Sequence, residues 1–215
     1  MNGPPGDPPQ GLVTPHDQGS GPGDAEDRRA RALLEENGYG TDTEALRQTL
    51  RSGVGILQAA AARLLGLSGS RAAQDELIRL ARDPATEETA RVQAAVALAR
   101  LGDEGAAREV LASILQLPLE ASPGPLQAAG ALAELGDPQG FSVVEAGLRS
   151  DNRVIAMIAC KQLPAFVPLD GRDGVNVYRA FAAALSHPED NVAAEARAQL
   201  EALATDQARS LLQRT

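Results

Sequence analysis

The chain has 215 residues with 29 acidic and 20 basic side chains, a formal charge of −9, one cysteine and no tryptophan. A lone cysteine excludes an internal disulfide and a multi-thiolate metal cluster. An acidic chain lacks the basic footprint of a nucleic-acid binder, and no apolar run reaches the roughly 20 residues a membrane span needs.

Residues 1–27 hold six prolines and six glycines, with five acidic and no basic side chains. Such a segment buries too little apolar surface to offset its ordering entropy, so a disordered acidic tail is expected over 1–27. A basic stretch followed by an apolar one is missing there, so no secretory signal is expected. The remaining residues, 28–215, are near charge balance, with 24 acidic against 20 basic. Their apolar residues are mostly Ala and Leu, which favour helix over strand.

From residue 24 the pattern turns helical. DAEDRRARALLEEN opens on acids, as the positive end of a helix dipole prefers, and stops at GYG. TDTEALRQTLRS begins on a Thr/Asp cap and sets Leu46 and Leu50 four apart. ILQAAAARLLGL follows Gly53. Turn signals then delimit helices predicted at 71–82, 86–101, 104–116, 125–135, 141–149 and 153–163. After the loop PAFVPLDGRD, helices are predicted at 173–186, 190–203 and 205–213.

Two lines of this chain nearly coincide. QAAVALARLGD starts at residue 93 and QAAGALAELGD at residue 127. At that 34-residue shift Leu98 and Leu101 fall on Leu132 and Leu135, and backwards on Leu64 and Leu67. A further copy, RVIAMIACKQL from residue 153, has a different spacing, and a degenerate last copy ends in Leu200 and Leu203. One helical hairpin cannot bury its apolar face alone, and stacked hairpins can. The expected fold is therefore all-α, an α-solenoid of about five hairpins.

The segments RVQAAVALARLGDEGA (91–106), PLQAAGALAELGDPQG (125–140) and DNRVIAMIACKQL (151–163) resemble the HEAT-repeat family, in the short bacterial form also seen in phycobilisome lyases. The resemblance spans about 41–203. Tetratricopeptide repeats share the 34-residue period but need aromatics at positions where this chain has none. The resemblance implies that the second helix of each pair lines a concave face that binds a partner. The positions pointing away from the Ala/Leu core would be Gln93, Val96 and Arg100, then Gln127, Gly130 and Glu134, then Ile155, Ile158 and Gln162, then Glu195. It also places Arg91 and Arg153 in a polar ladder between repeats.

Chemistry is hard to assemble from the remaining residues. His16 lies in the tail, and His187 precedes a proline at a turn, where capping or solvent exposure is expected. Cys160 aligns with the core positions Leu98 and Leu132, so a buried, inert thiol is expected. No phosphate-binding glycine motif is present, and GYG reads as a turn. The His-Glu pairs of HEAT-like iron hydroxylases and the basic, aromatic face of HEAT-like DNA glycosylases are both missing. The loops at 117–125 and 164–173 are secondary binding candidates, with Phe166 either exposed or tucked into the core. The reading is a non-catalytic, cytoplasmic interaction module that binds a protein or peptide partner. It has no cofactor, metal, nucleic acid or membrane. An accessory protein resembling the phycobilisome-lyase subunits and a neutralising partner for a toxin or effector stay open.

Overall fold

The computed structural model describes residues 22–214, and all of its regular structure is helical. The helices are α1 (Pro22–Glu36), α2 (Thr43–Ser52), α3 (Gly55–Ser68), α4 (Gln74–Arg82), α5 (Glu88–Arg100) and α6 (Glu104–Leu115). Then come α7 (Gly124–Glu134), α8 (Phe141–Leu148), α9 (Arg153–Phe166), α10 (Val177–Leu185), α11 (Asp190–Leu203) and α12 (Asp206–Leu212). Short 3-10 turns at Arg71–Ala73, Pro138–Gly140 and Val167–Leu169 extend α4, α8 and α9.

The repeated L-G-D is a helix stop joined to a helix start. Gly102 and Gly136 take left-handed φ values of 92° and 77°, which cost a glycine little. The Asp103 N–H returns to the Leu98 carbonyl and the Asp137 N–H to the Leu132 carbonyl, both at 2.9 Å. Each aspartate then caps the next helical turn. Asp103 accepts from the Ala106 N–H at 3.2 Å and Asp137 from the Gln139 N–H at 3.1 Å. The same stop ends α1, where the Tyr39 N–H reaches the Leu34 carbonyl past Gly38.

The odd-numbered helices pack in series, α1 on α3, α3 on α5, and so on to α11. Each from α3 to α11 also packs on the even helix before it. Small residues set the spacing. A β-carbon on Gly66 of α3 would lie 2.8 Å from the Ala97 Cα of α5, and one on Gly147 of α8 would lie 2.8 Å from the Ala159 Cβ of α9. Leu65, Leu98, Leu132, Leu163 and Leu200 fill the interior.

Polar stitches join the even helices. Arg82 pairs with Glu109 at 2.9 Å, Arg179 with Glu145 at 3.0 Å, and Arg108 with Asp137 at 3.5 Å and with the Leu135 carbonyl. These ion pairs lie on the even-helix side. Arg91 does bridge two helices, donating to the Ala81 carbonyl at 3.1 Å. Arg153 is exposed and makes no side-chain bond among the described residues, which corrects its assignment to the ladder.

Three boundaries move. Residues 22–27 belong to α1, so the expected tail is shorter, and its residues 1–21, with His16, lie outside the described residues. Helix α9 continues through Pro164 to Phe166, which is fully buried with its ring centroid 5.3 Å from that of Phe141. Helix α10 starts at Val177, four residues late, because Gly171, Asp173 and Gly174 hold positive φ. Asp170 and Asn176 then cap it, accepting from the Val177 and Arg179 N–H groups.

The most buried carboxylate ties α2 to α4. Glu76 is 7 % exposed, and its Oε1 accepts from Arg47 Nη2 at 2.7 Å and Arg51 Nη1 at 2.9 Å. Burial acts to raise this carboxyl, but the Arg47 hydrogen bond, a bond from its own backbone and the Arg47 and Arg51 charges outweigh it. The carboxyl is held below its ordinary value. Its contribution to stability is thus full above the unfolded-state pKa of about 4.3 and is lost as pH falls through the lower folded value. Glu76→Gln is expected to lose about 1–2 kcal/mol at pH 7, tempered by the solvent reaching both arginines. Denaturant titrations of wild type and variant should converge as pH falls below about 4.

Candidate partner-binding face

The face is built from the outward positions of α5, α7, α9 and α11. Arg100 and Glu134, at the C-terminal ends of α5 and α7, are exposed. Gln93, Gln127, Gln162 and Glu195 are half-buried. Val96 and Ile158 are half-buried too, but both pack on the core. Gly130 is buried, because the Gln162 side chain lies over it where a β-carbon would be.

Ile155 is not part of the face. It is 6 % exposed and sits in the core, while its neighbour Val154 is 56 % exposed. The corresponding residues of α5 and α7 do the reverse: Val92 and Leu126 are buried, and Gln93 and Gln127 reach the surface. Burial at the first turn of α9 is shifted by one residue, which places the larger apolar side chain inside. Ile155 therefore leaves the expected apolar step, and Ile158 remains half-buried at its place.

Helix α7 sets the shape of this face. Every residue from Gly124 to Ala133 except Gln127 is buried. Its alanines and Gly130 admit α5 and α9 so closely that little of α7 faces solvent. Gln93 and Gln127 each point Oε1 into the protein, where it is buried without a hydrogen-bond partner among the described residues. A buried unpaired acceptor costs about 1–3 kcal/mol. The two oxygens sit at equivalent positions of α5 and α7.

A charge cluster closes one end. Arg63 of α3 pairs with Glu26 at 2.9 Å and Asp27 at 2.6 Å, both on α1. Glu134 is exposed as a residue, yet burial of its carboxyl raises it above the usual range. Arg100 opposes that rise, Glu26 adds to it, and Arg63 opposes it. The repeat pattern points to Arg100 and Glu134 but gives no hint of Arg63 or Glu76. One further signal lies in the spacing: Arg47 and Glu76, Gln74 and Asp103, and Arg108 and Asp137 are each 29 residues apart and each in polar contact.

Cys160 and His187 lie outside this face. Cys160 is fully buried 3.9 Å from the Val192 carbonyl, and its thiol is pushed up to about 12 by burial, with Glu195 adding and Lys161 opposing. His187 caps a turn, its Nδ1 accepting from the Glu189 N–H at 3.1 Å. Among the described residues no three His, Cys, Asp or Glu side chains are grouped to hold a metal ion, and no helix is long and apolar enough to cross a membrane. Clefts open on the surface round α2. One of about 570 Å³ lies between α1, α2 and α3, and one of about 350 Å³ between α2, α3 and α4. In the loop at 117–125, Leu117 and Leu119 pack on the core.

The chain matches no protein-family model and no curated protein sequence. Among solved structures it is similar to the crystal structure of an engineered protein, at 19% identity and a TM-score of 0.45, over 93% of this chain and 94% of that one.

Proposed function

We propose that the chain is a HEAT-like α-solenoid that binds a protein or peptide partner along the outward face of α5, α7, α9 and α11. The observation carrying this reading is the polar row itself. Half-buried Gln93 and Gln127 stand at equivalent positions, flanked by exposed Arg100 and Glu134. A partner recognised there is read chiefly by hydrogen bonds and charge, with half-buried Val96 and Ile158 adding small apolar contacts. The mechanism is complementarity over several repeats, without a catalytic group, and a buried reduced thiol suits the cytoplasm.

The test is affinity capture from the native organism's lysate with three baits. Wild type is compared with Arg100→Glu combined with Glu134→Arg, and with Arg82→Glu on the even-helix side. Circular dichroism first establishes that both variants keep the wild-type helix content. A partner held by wild type and by Arg82→Glu, but reduced at least about tenfold by the reversed pair, supports the face. A partner held equally by all three baits removes it.

A further inference from the structure

We infer that α1 is a detachable end element, held on the stack chiefly by the Arg63 ion pairs, and that it opens while the rest of the fold stays closed. At the 34-residue spacing, Arg63 of α3 corresponds to Ala97 of α5 and Ala131 of α7. Ala97 lies against Gly66 of the preceding odd helix, so this register faces backwards along the row. In α5 and α7 it carries the small side chain that lets the preceding odd helix approach. In α3 it carries a guanidinium, which reaches the acidic side chains of α1.

Polar contacts join α3 to the first turns of α1. Arg63 is 13 % exposed, pairs with Glu26 and Asp27, and donates to the Gly23 carbonyl at 3.3 Å. The apolar anchor is small: of the described α1 residues, only Ala30 and Leu34 are buried. Helix α3 is the one extensive neighbour of α1 among the described elements, since α1 and α2 diverge around the 570 Å³ cleft. Leu46 and Leu64 floor that cleft, and Leu67 is 46 % exposed at its edge. A helix with little buried apolar area and a large share of ion pairing belongs to the low-stability end of a fold. Its release would uncover Arg63 and Leu64 and leave α3 as the end of the odd-helix row. This inference stands independently of the binding proposal.

Native-state hydrogen exchange of the full chain tests it. The amides of residues 27–36 should exchange about tenfold or more faster than those of α5 and α7, because a sub-global opening releases them alone. Arg63→Ala should speed α1 exchange by a further factor of about three to ten, in line with the loss of two partly buried ion pairs. Raising the salt from about 50 to about 500 mM should act in the same direction on wild type and hardly at all on the variant, since it screens the same pairs. Arg179→Ala, which removes the Glu145 pair at the other end of the stack, should leave α1 unchanged. Exchange of α1 at the rate of α5, or an Arg63→Ala effect spread evenly over all helices, would overturn the inference.

Discussion

Gly140→Val is expected to unfold the protein or lower its stability by about 3 kcal/mol or more. Gly140 ends the 3-10 turn that leads into α8 and lies directly against α7. A β-carbon there would meet the Ala129 Cα and Cβ, both at 2.6 Å. The obstruction is helix backbone, which cannot swing aside as a flexible side chain can, so α8 would have to leave α7. Gly105 in α6 is the internal control. Nothing lies within 4 Å of its added β-carbon, so Gly105→Ala should be neutral or stabilising by about 0.5 kcal/mol. Thermal melts followed by helical circular dichroism separate the two outcomes. A Gly140→Val variant that melts with wild type would show that α7 and α8 are not in close contact.

The second large effect separates two adjacent residues. Ile155→Glu should cost several kcal/mol, because it removes a core aliphatic and buries an unpaired carboxylate. Val154→Glu should change stability by less than about 0.5 kcal/mol, since that side chain is 56 % exposed. Urea titrations of both variants measure the difference. Equal losses would mean that burial at the start of α9 follows α5 and α7 after all. The result also governs how the candidate face is probed, because loss of a partner by Ile155→Glu would report unfolding and not recognition.

Much of the architecture is legible in the sequence because it rests on local rules that repeat. The L-G-D line states a left-handed glycine and an aspartate cap, and both are found where the line occurs. Cys160 aligns with Leu98 and Leu132 and is buried like them. The errors fall where the spacing changes. Analogy with Gln93 and Gln127 puts Ile155 on the face, but the α8–α9 pair does not keep the 34-residue step. An apolar side chain that can be sunk gains about 1.5–3 kcal/mol by doing so. Pro164 reads as a helix breaker, yet α9 carries on for two residues beyond it, because Phe166 is held in the core against Phe141.

The candidate face is less legible than the fold. The positions of Arg100 and Glu134 follow from helical periodicity, whereas the closure over α7 does not. It depends on Gln162 lying over Gly130, a contact between helices with no sequence signature. The Arg63 cluster depends on α1, which precedes the recognisable repeats.

The central claim is that a partner lies along the odd helices. Its most direct test is site-specific photo-crosslinking in the native host. A benzophenone side chain is placed at Gln93 or Gln127 on the candidate face, and at Glu109 or Ser142 on the even-helix side. A partner seated on the odd helices gives a crosslinked adduct of one mass from Gln93 and Gln127 and none from Glu109 and Ser142. Adducts from Glu109 and Ser142 alone would contradict it and move recognition to the even helices.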